Sequence, residues 1–336
     1  MTELQPFVDF RAHPLVREAE LERFCAEVGI ILTPELRAFV VPRPVEKIGM
    51  GGWQAGKSTA TALDVAVDVE LRPPGRRMHY WGIMPSYKTP VMEMDFLAEW
   101  YRGKRAVYRW HRPDGDTCRL ELYGGQVVIE TRTAKDAEGI ASEAVDGVFM
   151  SEAGQMRETI RNRAQGRIVT RGGWLDMTGT LEDDQADVQY AWFGELGAAW
   201  KDNPTEEHLA VSIPSWANPI AFPGGRNDPK ILRLEREYTD RGDYEYFLRY
   251  ICGVPAGFRD RLYAVLDNGD WGWTEGKGQE WMLSQGAGGH DYGEGWTDEK
   301  RGHPSTLAAV QVTQGGIAVV RDVWESFTGD TGEIES

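Results

Sequence analysis

Nine consecutive residues carry the densest chemistry in this chain: Gly51-Gly52-Trp53-Gln54-Ala55-Gly56-Lys57-Ser58-Thr59. The run fits G-x-x-x-x-G-K-[ST], the loop that cradles phosphate. Its glycines let backbone N–H groups turn inward and close on phosphate oxygens. Lys57 has the reach for β- and γ-phosphates, and Ser58 offers a hydroxyl to Mg2+. A phosphate loop needs an acidic partner strand, and Val148-Phe149-Met150-Ser151-Glu152-Ala153 fits that place. Such strands usually end in Asp-Glu. The Asp holds the cation through its water shell, and the Glu polarises the attacking water. Here Ser151 stands in the aspartate's position; it can bond a metal-bound water but brings no charge. Glu152 keeps the catalytic position; without the phosphate loop it would read as a helix cap. Thr178-Gly179-Thr180 ends another strand. A polar strand tip beside a phosphate site can sense the γ-phosphate; alone, it would read as a turn.

These residues need a scaffold in the right order. Val45–Met50 reads as a short buried strand before the loop, and 58–71 as a helix after it, with no Pro or Gly to break it. The loop then opens that helix, whose N-terminus favours anions. Upstream, 14–29 reads as an amphipathic helix, and Thr33-Pro34-Glu35 as the start of another. Further strands are predicted at 79–84, 107–111, 119–123, 127–131, 147–150 and 174–178. Gly124-Gly125 is a hairpin signal. Helices are predicted near 90–101, 155–165, 186–200 and 229–251. Alternating strands and helices imply an α/β phosphate-loop ATPase, its mostly parallel sheet flanked by helices on both faces. This predicted ATPase domain spans 1–256. A Gly-, Asp- and Trp-rich linker follows over 257–284. A last segment, 285–336, contains strand-like runs at 305–312 and 316–323.

Composition limits the function. The chain has 336 residues, 27% of them charged, and a formal net charge of −16. That balance argues against coating nucleic acid through bulk charge, but not against a motor touching DNA with a small basic patch. Local basic clusters lie at Arg102–Arg112 and Arg157–Arg171. No apolar run is long enough to span a membrane. Cys25, Cys118 and Cys252 have no metal-type spacing and point to a reducing, cytosolic compartment.

In order and spacing the chain resembles the large terminase subunit of tailed bacteriophages. Four features carry the resemblance: Gly51–Thr59, the Met84-Pro85-Ser86-Tyr87 turn, Val148–Ala153 and Met177–Thr180. Tyr250-Ile251-Cys252-Gly253-Val254-Pro255 resembles the helix end closing that family's ATPase half. Gly289-His290-Asp291-Tyr292-Gly293 resembles the first strand of its ribonuclease H-like nuclease. There are departures besides Ser151. Trp53 and Gln54 stand where the family's loop carries an arginine. Glu138-Gly139 stands where an Arg-Gly supplies a trans-acting arginine, leaving Arg132, Arg161 and Arg163 as candidates for that role.

The resemblance implies an ATP- and Mg2+-dependent motor that moves double-stranded viral DNA into a procapsid in the host cytoplasm. Its implied partners are a portal protein, a small terminase subunit and further copies of itself in a ring. Asp291 would be the first carboxylate of a nuclease site using Mg2+ or Mn2+. One carboxylate cannot fix two cations, and Asp322 also reads as a strand-end surface residue. The remaining carboxylates are expected beyond residue 336, with 285–336 poorly ordered or paired to another chain. A phosphate-loop helicase or remodelling ATPase, or a nucleotide-binding assembly subunit with weak hydrolysis, are the alternative readings.

Overall fold

In this computed structural model, residues 11, 13–86, 91–113, 116–136, 139–141, 143–181 and 191–256 are described, together with strands at 287–291, 305–312 and 318–326. The chain divides into two units, residues 1–261 and 262–336.

The first unit is built on an eight-stranded sheet. Its strands are β1 (Glu46–Gly51), β2 (Met78–Met84), β3 (Val107–His111), β4 (Arg119–Leu122), β5 (Val127–Thr133), β6 (Gly147–Ser151), β7 (Trp174–Gly179) and β8 (His208–Ile213). They lie in the order β3-β4-β5-β2-β6-β7-β1-β8. From β5 to β8 every pairing is parallel; β3 and β4 extend the sheet antiparallel. The β4–β5 connection turns through Gly124 and Gly125 at φ +66° and +83°, where glycine has no Cβ to clash.

Helices cover both faces because the parallel strands are apolar on both. On one face lie α1 (Pro14–Val28), α2 (Pro34–Val40), α3 (Lys57–Glu70) and α4 (Met92–Gly103), packed on residues such as Tyr80, Ile129 and Phe149. On the other lie α5 (Glu158–Ile168) and α6 (Trp192–Asp202), packed on Ile48, Met50, Trp81, Val148 and Met150. Neighbours such as Phe149 and Met150 thus serve opposite cores, the two-residue alternation of a strand. α7 (Pro229–Asp240) and α8 (Tyr244–Tyr250) enclose a small third core around Phe222, Ile231, Phe247 and Ile251.

The first core contains a buried ionic cluster. Arg17, Arg43 and Lys47 surround Asp64 of α3, and Arg43 also reaches Asp176 of β7 at 3.2 Å; each of these side chains is 5% exposed or less. Burial opposes ionisation of Asp64, yet Arg43, Lys47 and Arg17 together hold its carboxyl below the usual range. Burial pushes the Asp176 carboxyl up despite Arg43, and the neighbouring Asp64 adds to the rise.

Several sequence expectations need correction. The run 229–251 is two helices, because Gly242 turns the chain at φ +77° between them. The helix expected near 155–165 is α5, starting only at Glu158 after a 3-10 turn over Ala153–Gln155. β8 is an addition to the expected strands. The turn at Tyr87, Glu138, the linker 257–284 and the start of the helix expected at 186 lie outside the described residues.

In the second unit β9 (Ala287–Asp291), β10 (Ser305–Val312) and β11 (Ala318–Ser326) form an antiparallel sheet in the order β11-β10-β9. Asp291 sits opposite Thr306 and Asp322 opposite Ala309.

Candidate nucleotide site

Parallel sheets place their binding crevices beyond the carboxyl ends of the strands. Here Ser151 is in register with Thr178 and Met50 with Gly179, so β1, β6 and β7 end together. Just beyond them opens a cleft of about 630 Å³, lined by Trp53, Gln54, Lys57, Ser58, Met92, Glu93, Ser151, Glu152, Gln155 and Thr180. The two sequence motifs and the β7 tip therefore converge on one space.

The loop has the backbone such a site needs. Gln54 and Gly56 are left-handed, at φ +56° and +88°, and Gly56 leads straight into α3. No side chain caps α3, so its first turn is left for an anion. The loop is also held from behind. Gly52 N–H donates to the Ile213 carbonyl at 2.9 Å, and Trp53 N–H to the Tyr250 carbonyl at 2.7 Å. Asn218 Nδ2 donates to the Gln54 carbonyl at 2.8 Å. A β-carbon on Gly52 would lie 2.4 Å from the Ile251 carbonyl oxygen, so only glycine fits. Gly253, at φ +63°, approaches Met50 just as closely. Trp53 is 47% exposed at the cleft. Its ring is 5.1 Å from that of Tyr250, which stacks on Tyr246.

Lys57 does not point out to solvent. It folds back, its stem packing across Gly51. Its Nζ donates to Thr180 Oγ1 at 2.9 Å and to the Gly52 carbonyl at 3.2 Å. A half-buried ammonium needs oxygen partners, and these two supply them. The contact joins the loop to the predicted sensor tip. A second link lies one turn along α3, where the Thr61 and Thr178 hydroxyls are 3.2 Å apart.

Glu152 adopts φ +54° and ψ +47°, a left-handed conformation uncommon for a non-glycine residue. It turns the chain from β6 into the 3-10 turn and brings Glu152 to the cleft. Ser151 is buried, and its hydroxyl donates to Glu93 Oε1 at 2.7 Å. Glu93, the second residue of α4, is 2% exposed and is a cleft residue that sequence reasoning missed. It resembles an ordinary acidic residue in a first helical turn. Its signal was only its position just after β2. Burial raises its carboxyl above the usual range, partly offset by hydrogen bonding from Ser151 and Ser58.

Ser58, Glu93, Ser151 and Glu152 offer only oxygen to a cation, which suits hard Mg2+ rather than a soft metal. Another acidic group, His79, Glu130 and Glu143, gathers at the start of β2, away from the cleft. There Arg119 and Arg132 already pair with Glu130, making an ionic network.

Lys57 is the one cationic side chain lining the cleft among the described residues. Of the three candidate arginines, Arg161 holds Glu46 at the opposite end of β1, at 2.8 Å. Arg132 pairs with Glu130 and lies over the Trp81 ring. Arg163 is exposed on α5. The structure does not bring any of them to the cleft.

No family model matches the chain, and comparison with curated proteins finds no match. Solved structures do resemble it. The large terminase of bacteriophage HK97 superposes with a TM-score of 0.52 at 15% identity, covering 94% of this chain and 67% of that one. The ATPase domain of the Thermus phage P74-26 large terminase gives 0.48 at 16% identity, covering 69% and 97%. A large terminase from another thermophilic bacteriophage, in complex with ADP, gives 0.47 at 12% identity, covering 95% and 69%. The HK97 likeness shows a shared α/β fold. Among the described residues, no helix is long and apolar enough to cross a membrane.

Proposed function

We propose that this chain is the ATP-hydrolysing motor subunit of a terminase-type machine that drives double-stranded DNA into a procapsid. One observation carries this reading: Lys57, Ser58, Glu152 and Thr180, from three separate stretches, line one cleft at the carboxyl edge of a parallel sheet. The shared fold with the HK97 large terminase directs the choice among phosphate-loop functions.

ATP would lie with its phosphates against the start of α3. Lys57 leaves Thr180 and takes the β- and γ-phosphate oxygens, stabilising charge as it develops. Glu152 orients a water and accepts its proton as the water oxygen attacks the γ-phosphorus. The bond to the β–γ bridging oxygen breaks, and ADP leaves with that electron pair. Mg2+ would be held by Ser58 with Glu93 and Ser151 nearby, where it would supply positive charge against the phosphates. Thr180, released by Lys57, would sense the γ-phosphate. With Lys57 the one cationic side chain lining the cleft among the described residues, a neighbouring copy in a ring would supply an arginine, an addition worth roughly 10³–10⁵ in rate in other phosphoryl-transfer enzymes. Portal protein and small terminase subunit are the other proposed partners. Asp291 on β9 is proposed as the first carboxylate of a nuclease half.

The absence of an aspartate at Ser151 favours a second reading, a nucleotide-binding assembly subunit that hydrolyses slowly. ATP turnover with and without DNA separates the two. We expect DNA to stimulate turnover. Glu152→Gln should keep ATP binding and lower turnover by about 10²–10⁴-fold. Parent-level turnover in this variant would remove Glu152 from the mechanism, and turnover indifferent to DNA would favour the second reading.

A further inference from the structure

We infer that Glu93 supplies the cation-facing carboxylate that β6 lacks, so that the charge ordinarily placed at the strand end comes from α4 instead. This rests on the nucleotide-site reading above.

The strand position itself is neutral. Ser151 ends β6 in register with Thr178, where an aspartate would serve this chemistry, and it is 5% exposed. Its proton is already committed, because its hydroxyl donates to Glu93 Oε1 at 2.7 Å. The serine and the glutamate therefore act as one unit. The strand supplies the orienting donor, and the helix supplies the charge.

Its first-turn position on α4 and its hydrogen bonds repay only part of what burying Glu93 costs. It is 2% exposed, its carboxylate accepts from the Ser151 hydroxyl at 2.7 Å and is helped by the first-turn backbone N–H, and among the described residues no ion pair with it occurs. A buried carboxylate without a cation costs several kcal/mol unless something repays it. Other buried carboxylates here are repaid by cations or, for Asp228 at the start of α7, by backbone N–H donors. Asp64 has Arg17, Arg43 and Lys47, and Asp146 has Arg76 and Arg171. Glu93 instead faces the cleft beside Lys57 and Ser58, where nucleotide and cation would arrive together. Mg2+ typically takes one or two carboxylates plus substrate phosphates, and one carboxylate beside the Ser58 hydroxyl suits that need.

The test is equilibrium binding of a fluorescent, non-hydrolysable ATP analogue to the full chain, in Mg2+ and in EDTA. The ratio of the two affinities measures the cation's contribution without any turnover. In Glu93→Gln we expect that ratio to fall by about 10–100-fold, the usual scale for disturbing a metal's surroundings. Affinity in EDTA should hold or improve, since a negative charge beside the phosphates is gone. Ser151→Ala, a smaller change, should keep most of the parent ratio because Glu93 remains. Ser151→Asp on the parent should lower the ratio by setting two carboxylates against each other. On the Glu93→Gln background the same substitution should restore it.

A parent-like ratio in Glu93→Gln would overturn the inference while leaving nucleotide binding intact. Loss of the whole ratio in Ser151→Ala would also overturn it, by assigning the cation to the serine. If the parent binds the analogue in neither medium, the nucleotide-site reading falls and the inference falls with it.

Discussion

Replacing Thr180 by valine isolates the contact that joins Lys57 to the tip of β7. The two side chains have nearly the same shape, and Thr180 is buried at the end of β7, so the swap removes a hydroxyl without opening a void. The bond it deletes runs from Lys57 Nζ to Thr180 Oγ1 at 2.9 Å. Hydrogen bonds to charged groups contribute about 1.5–3 kcal/mol net. Lys57 is only half-buried and keeps its contact with the Gly52 carbonyl, so the lower end applies. Nucleotide must break this bond before the ammonium can reach phosphate. Removing it should therefore strengthen binding by about 1.4 kcal/mol, or roughly tenfold in Kd. ADP is the right ligand because it lacks the γ-phosphate that Thr180 could touch. Titration calorimetry of ADP on parent and variant measures the difference directly. ATP should gain less than ADP, because the variant also loses the hydroxyl facing the γ-phosphate. Unchanged or weaker ADP binding would refute the competition between Thr180 and phosphate.

Two further substitutions probe the frame. Gly253→Ala puts a β-carbon 2.4 Å from the Met50 carbonyl oxygen at a φ of +63°. Backbone cannot yield as a side-chain tip can, so urea unfolding should show a loss of about 3 kcal/mol. A loss under about 1 kcal/mol would mean that the 250–253 segment does not clamp the loop. Glu130 gives a pH signature. Burial works against its charge, but His79, Arg132 and Arg119 hold its carboxyl down at about 2. Its folded-state pKa is depressed, so its contribution is present above the ordinary value of 4.5 and lost as pH falls toward 2. With solvent screening, about 2 kcal/mol should go in that window. Glu130→Gln should flatten this part of the stability curve, and an identical curve would contradict the assignment.

Much of the site could be read from sequence because a few local rules fix it. Gly56 must turn left-handed to open α3, and β1 and β6 are short apolar runs with motif residues at their ends. Contacts made by distant residues were not legible. Glu93 reaches the cleft from a helix that carries no motif. β8 is hard to see because His208–Ile213 is only partly buried and follows a polar stretch. The 229–251 run shows strong helical periodicity, and a lone glycine inside such a run does not by itself signal a break. The buried ions did leave a trace: Lys47 and Asp176 are charges within short strands that are mostly apolar. Their partner Asp64 is a helix residue, and only the fold brings the three together.

That ionic cluster has a mechanical consequence. Asp64 belongs to α3, the helix that begins at the phosphate loop, Asp176 to β7, and Lys47 to β1, the strand paired with β7. To slide α3 against β7 would pull apart charges with no water to receive them, a cost set by desolvation rather than by packing. The floor of the cleft is therefore stiff, and on the proposed reading strain created at bound phosphates would not dissipate by shearing it. A second coupling lies on the other side of the loop. There the chain from Ile213 to Gly253 meets it through backbone hydrogen bonds and through Trp53, whose ring lies tilted against Tyr250, itself stacked on Tyr246. On the proposed motor reading, a stroke generated over that floor would emerge through α7 and α8.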